Sequence, residues 1–135
     1  MRGQIGRQSG FTLIEMIIVF TLIGILVGMG LPQYQTAARR AREAVLKEDL
    51  FQFRKLIDQF YLDKRKYPAS LQTLVEEKYL RIIPVDPMTN SATTWVEVRE
   101  IPPPDEIAML ENLGVIDVKS GSDQKALDNT LYNTW

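Results

Sequence analysis

Two residue types are missing from this chain of 135 residues. It has no cysteine, which excludes disulfides, thiolate metal sites and cysteine nucleophiles. It has no histidine, so the commonest general base and the usual zinc ligand are gone, and a Ser-His-Asp triad cannot be built. An excess of either charge is lacking too. The 16 Lys+Arg stand against 17 Asp+Glu, which gives no basic footprint for nucleic acid. The length suits one domain. What the chain does have is unevenly placed: most of its apolarity sits in one run near the N-terminus.

That run is FTLIEMIIVFTLIGILVGMGL, Phe11 to Leu31, with one charge, Glu15. A helix of this length reaches roughly 31 Å, enough to span a bilayer core. A core helix of a soluble domain would show one apolar stripe, whereas this run is apolar all round. A secretory signal has an apolar region of about 7–15 residues before a small-residue cleavage site. Thr36-Ala37-Ala38 offers such a site, but the run is longer and holds an acid. The expectation is a single membrane-spanning helix. Arg2 and Arg7 precede it, and Arg39, Arg40, Arg42 and Lys47 follow it, so the positive-inside count leaves topology open.

An acid at the centre of a membrane helix costs about 2.5–3.5 kcal/mol and usually marks function or a partner. Glu15 lies one turn beyond Phe11, on the same helical face. A cut after Gly10 would give Phe11 a free α-amine, able to pair with Glu15 of the same or a neighbouring chain. A helix N-terminus also favours a nearby carboxylate. On the residues alone, an interfacial acid that snorkels to water stays equally open.

Ser9-Gly10-Phe11-Thr12-Leu13-Ile14-Glu15 strongly resembles the processing motif of type IV prepilins and pseudopilins. The resemblance implies that residues 1–10 are a leader, removed after Gly10 by a membrane prepilin peptidase. Phe11 is then N-methylated, and the run over 11–31 stays on the mature protein. Glu15 matches the family's intramembrane glutamate, which pairs with the terminal amine of the next subunit and sets the axial register. Gly24-x-x-x-Gly28 permits close helix approach, and Pro32 removes a backbone donor and crowds the carbonyl of Gly28. Residues 24–32 are therefore expected to be the softest part of the helix.

From Gln33 to Asp63 there is neither proline nor glycine, and the helix is expected to continue over 32–63. Leu46, Leu50, Phe53, Ile57 and Phe60 form one stripe at spacings of four and three, read as core. Glu43 and Lys47 suit an i,i+4 pair. Arg39, Arg40 and Arg42 make a basic collar, read as a solvated face near lipid headgroups or as a contact for acids of neighbouring subunits. Lys64 to Pro68 breaks the helix. A short helix follows at Ser70–Glu76, and strands are expected at Trp95–Arg99 and Val115–Val118, with Pro102-Pro103-Pro104 ending the first. The expected fold class is α+β: a type IV pilin-like long N-terminal helix, membrane-spanning in its first half, packed on a small antiparallel sheet, with a loop-rich region over 64–135.

Tyr67-Pro68, Leu71 and Leu74, then Tyr79-Leu80 and Ile83-Pro84-Val85-Asp86-Pro87, resemble the major pseudopilins of type II secretion, with Met88-Thr89 where that family has Trp-Gly. The tail from Ser120 to Trp135 resembles the family's calcium-binding end. The resemblance implies Asp123 and Asp128 as carboxylate ligands, with backbone carbonyls near Ser120 and Thr130. Gln124 replaces a glycine, and only one acid stands where two are frequent. Without the resemblance, the same residues read as a solvated loop. Trp135 is expected to anchor the tail by packing.

The implied function is a structural subunit of a periplasmic pseudopilus, without catalysis of its own. Its implied partners are copies of itself in a helical homopolymer, minor pseudopilins, an inner-membrane assembly platform and the prepilin peptidase. A type IV pilin or minor pilin, for adhesion, motility or DNA uptake, is the near alternative. A membrane-anchored periplasmic enzyme using Asp117, Asp123 and Asp128 is the distant one, and no recognisable catalytic motif supports it.

Overall fold

The helix-forming stretch that opens the chain and the breaker-rich stretch that closes it give five elements among the described residues. The computed structural model describes Gly10, residues 12–102, Pro104 and residues 113–135. Helix α1 runs Leu13–Lys64, helix α2 Leu71–Glu76, strand β1 Val96–Arg99 and strand β2 Val115–Lys119, and a 3-10 turn closes the chain at Tyr132–Thr134. The chain divides into two units, Met1–Ala38 and Arg39–Trp135, and α1 contributes to both.

In the first unit α1 starts at Leu13 rather than at Phe11, which lies outside the described residues together with residues 1–9. Thr12 accounts for the start. Its hydroxyl accepts from the Glu15 amide at 3.3 Å, and its carbonyl accepts from the Met16 amide at 3.2 Å. This is an N-cap, meeting the need of the first turn's unpaired amides. Pro32 sits inside α1, and the element continues through it.

In the second unit the predicted stripe is the core. Leu46, Leu50, Phe53, Ile57 and Phe60 are all buried, at 0–2% exposure. Against them pack Leu71, Leu74, Trp95, Val115, Val118, Ala126 and Tyr132. Phe53 meets Trp95 edge-on with ring centroids 5.0 Å apart. The helix ends one residue later than Asp63, with Arg65 at φ 56° and its amide on the Tyr61 carbonyl at 2.8 Å. That is a left-handed cap made without the usual glycine. Ser70 caps α2 by accepting from the Thr73 amide.

The two strands pair antiparallel, Val96 with Lys119 through Arg99 with Val115, and a bulge between Val98 and Arg99 shifts the register. Strand β1 begins one residue after Trp95, whose indole donates instead to the Pro84 carbonyl at 2.8 Å. Two strands alone are marginal in water, so the sheet depends on the helix beneath it. Segments cross closely at two glycines. A β-carbon at Gly114 would collide with Tyr67, and one at Gly121 with the Thr94 carbonyl.

Asp86 is fully buried and accepts from the Ser120 hydroxyl at 2.6 Å and the Met88 amide at 2.8 Å. Facing it from α1, Asp49 has its carboxyl held above the usual range by burial, then by the charges of Asp86 and Glu48. A raised acid is a destabilising anion at neutral pH, and stability returns as pH falls through the raised value towards 3.8. Asp49→Asn is expected to raise the melting temperature at pH 7, with the advantage over the parent shrinking once the pH drops below the raised value. Melts of both proteins in detergent across pH 3–7 check this, and a pH-independent difference refutes it.

Candidate functional site

Three sets of residues bear on function: the start of α1, its apolar half, and the loop over 120–135. At the start, Gly10 is exposed, and a β-carbon there would meet nothing within 4 Å. Packing among the described residues therefore gives no reason for the glycine. Phe11, expected as the cleavage and methylation residue, lies outside the described residues. Glu15 is exposed in the first turn of α1. Its amide is spent on the Thr12 cap, and its carboxylate is free of any ion pair among the described residues. Thr12 is the residue that the reading above passed over. The T-x-x-E spacing, a capping-box pattern, was the signal for it.

The apolar half of α1 is exposed throughout. Its large side chains from Leu13 to Leu31 keep between 44% and 82% of their surface, and none of its most apolar window is buried. Gly24, Gly28 and Gly30 have open space where a β-carbon would stand. Nothing in the packing of the described residues requires them, which is the condition for close approach of another helix. Thr21 and Thr36 turn their hydroxyls back onto the carbonyls of Ile17 and Pro32, so neither presents a free donor to lipid.

The 120–135 loop is fastened to the helix by charged groups. The Glu43 carboxylate accepts from the Tyr132 hydroxyl at 2.8 Å and the Leu127 amide at 2.9 Å. Arg39 donates to the same hydroxyl at 3.3 Å and to the Lys125 carbonyl. Arg54 bridges Asp117 at 2.7 Å and the Trp135 carbonyl at 2.9 Å. Lys47 lies 4.5 Å over the Trp135 ring, and Tyr132 meets that ring edge-on. Trp135 thus anchors the tail as expected. Two other expectations change. Glu43 and Lys47 do not pair with each other, because each finds a partner on the loop. Arg39 leaves the collar to hold the loop, while Arg40 and Arg42 remain exposed. Burial raises the Tyr132 hydroxyl above its usual range, and the Tyr132 bond raises Arg39.

The four residues implied for calcium are on or beside this loop. Ser120 is buried, with its hydroxyl on Asp86. Asp123 and Asp128 are exposed. One Asp128 oxygen accepts from the Thr130 hydroxyl at 2.6 Å and amide at 3.0 Å, which hold its carboxyl below the usual range. The Thr130 carbonyl already accepts from the Ala126 amide at 2.7 Å. Among the described residues no three His, Cys, Asp or Glu converge. The donors are all oxygen and fit a hard cation in kind, but two carboxylates leave most of six to eight positions to carbonyls and water.

Residues 5–31 match the prokaryotic N-terminal methylation motif. The type II secretion system core protein G of Pseudomonas aeruginosa is 33% identical over 100 residues, covering 62% of this chain and 70% of that protein. The chain belongs to this family of major pseudopilins. The core protein G of Escherichia coli is 28% identical over 100 residues, covering 62% of the chain and 69% of its own length. A type IV major pilin of Neisseria gonorrhoeae is 33% identical over 96 residues, but the chain covers 52% of it. No solved structure matches. The α+β, pilin-like fold is thus that of a type II secretion pseudopilin, with a membrane-anchoring helix at its start.

In this pseudopilin, Tyr132→Phe removes the one hydroxyl shared by Glu43 and Arg39 and leaves a nearly buried carboxylate short of a donor. The expected cost is about 1–3 kcal/mol in denaturant unfolding, with faster protease cleavage within 124–131. An unchanged midpoint together with an unchanged cleavage rate would show that the clamp is idle.

Proposed function

We propose that the chain is cut after Gly10 by prepilin peptidase, N-methylated at Phe11, and held in the bacterial inner membrane with its second unit in the periplasm. It then polymerises on an inner-membrane platform, with minor pseudopilins, into a helical homopolymer whose growth drives export of folded proteins. The observation that carries this reading is the apolar half of α1, exposed along its length, which starts just after Gly10 and holds Glu15 in its first turn. A surface that the described residues leave this exposed needs lipid before assembly and other helices after it. Glu15 is the partner for the amine that cleavage creates. The gonococcal similarity favours one second reading, a type IV pilin. Loss of exoprotein export with intact surface motility on deletion supports the secretion role, and the reverse pattern supports the pilin.

The N-terminus is expected at N-methyl-phenylalanine 11 in mass spectra of protein from cells with the peptidase, and at Met1 without it. Glu15→Ala is expected to insert normally and to lose fibres. Normal fibres from that variant remove the pairing role.

Calcium held by Asp123 and Asp128, with carbonyls near Ser120 and Thr130, belongs to the same reading. It would add a constraint to a loop that has little apolar core. At calcium a hundredfold above its dissociation constant the expected gain is about 2.7 kcal/mol, a shift of several degrees that chelator removes. Asp128→Asn is expected to abolish the shift. Identical melts with and without chelator rule out a structural ion.

A further inference from the structure

Four charged side chains of α1 face the 120–135 loop, and they differ in how their polar atoms are used. Glu43, Arg39 and Arg54 each bond loop groups directly. Lys47 instead lays its ammonium over the Trp135 ring, 4.5 Å from the centroid, and makes no ion pair among the described residues. A ring face attracts the charge but leaves the three N–H donors for other acceptors. The ring itself is fixed. Its N–H donates to the Thr130 hydroxyl at 2.6 Å, and that hydroxyl donates to one Asp128 oxygen at 2.6 Å. The Thr130 amide donates to the same oxygen at 3.0 Å, so the second Asp128 oxygen has neither bond. Lys47, Arg54, Asp128, Thr130 and Trp135 line one open hollow of about 440 Å³. The Asp128 carboxyl is held below its usual range first by the Thr130 bonds and, more weakly, by the charge of Lys47.

We infer that Lys47 is a built-in competitor at the calcium site proposed above: its ammonium serves the second Asp128 oxygen while the loop holds no metal, and it weakens calcium binding there. The inference rests on the calcium reading. Asp123 and Asp128 bring two negative charges, enough to neutralise a divalent cation and no more. An ammonium lining the same hollow leaves an excess of positive charge once that cation is bound, and like charges repel. Without the cation, the same ammonium offsets one of the two carboxylates. Arg54 lines the hollow too, but Asp117 and the Trp135 carbonyl already hold its guanidinium. Lys47 has a flexible four-carbon stem and rotatable donors, so it can swing between the carboxylate and the ring. The indole face gives it a resting place when the oxygen is taken. A lysine that only packed on the ring would leave calcium affinity unchanged.

The test is calorimetric titration of the full chain in detergent, stripped of metal, with calcium chloride. Lys47→Met keeps an unbranched stem on the ring and loses the charge. It is expected to bind calcium about tenfold tighter than the parent, the ratio that about 1.4 kcal/mol produces. Lys47→Arg keeps the charge and should stay within about twofold of the parent. In chelator Lys47→Met should melt below the parent, and calcium should raise its melting temperature by more than it raises the parent's. At about 0.5 M sodium chloride the tenfold gap should narrow, because added ions screen the ammonium. Calcium binding by Lys47→Met but not by the parent is the same result at its limit and supports the competition. Equal dissociation constants for parent and Lys47→Met, or a gap that high salt leaves untouched, overturn the competition and leave the calcium site standing. No calcium bound by either protein overturns both.

Discussion

Between Leu13 and Leu31 fourteen large apolar side chains are left exposed by the described residues. Burying each is worth about 1.5–3 kcal/mol, so the segment leaves on the order of 20–40 kcal/mol of apolar burial unrealised. A whole domain is stable by only about 5–15 kcal/mol. No rearrangement within a chain of this size can meet that demand, and the environment must. The glycines of the segment point the same way, since open space surrounds Gly24 and Gly28 where a buried helix would show contacts.

The second half of α1 meets the opposite condition. Its stripe from Leu46 to Phe60 is covered by α2, Trp95, strand β2 and the 120–135 loop, none of which could hold its shape alone. The loop adds only Ala126 and Tyr132 to the core, so it is fastened by polar bonds instead. Arg39, Glu43, Lys47 and Arg54 all point their charges at it from the flank of the stripe. One helix thus presents three surfaces within its second unit: an apolar one for the core, a charged flank for the loop, and an exposed outer face.

The sequence was most legible where a single periodicity decides the outcome. The all-round apolarity of 13–31, the four-and-three stripe and the alternation of Val115–Val118 each admit one reading, and the structure follows them. It was least legible where a charged side chain chooses among partners. Glu43 and Lys47 suit a local pair by spacing, but that pair is worth only about 0.2–0.5 kcal/mol, and a buried hydroxyl and an indole ring offer more. The loop partners lie more than eighty residues away in sequence, so no local pattern announces them. Thr12 is a different case. Its spacing to Glu15 was visible, but the acid's position in an apolar run drew the reading to its carboxylate rather than to its amide. Phe11 falls outside the described residues, and the two acids of the loop make too small a set to signal a metal by spacing.

Moving the apolar half of α1 from lipid to a bundle of its own copies changes little in hydrophobic terms, because lipid tails are as apolar as leucine. Apolar burial explains why the segment must be enclosed, but it does not choose between the two enclosures. The choice must come from terms that differ between them. One is close packing at Gly24 and Gly28, which only another helix can supply. The other is Glu15, whose charge costs about 2.5–3.5 kcal/mol in lipid and is relieved by a cation beside it. The Thr12 cap has already taken the Glu15 amide, so the carboxylate is the part left to answer an incoming amine. In the proposed processing, that amine exists only once residues 1–10 are removed. In the proposed assembly, cleavage therefore does more than trim the chain: it supplies the partner that makes the bundle a better surrounding for Glu15 than the bilayer.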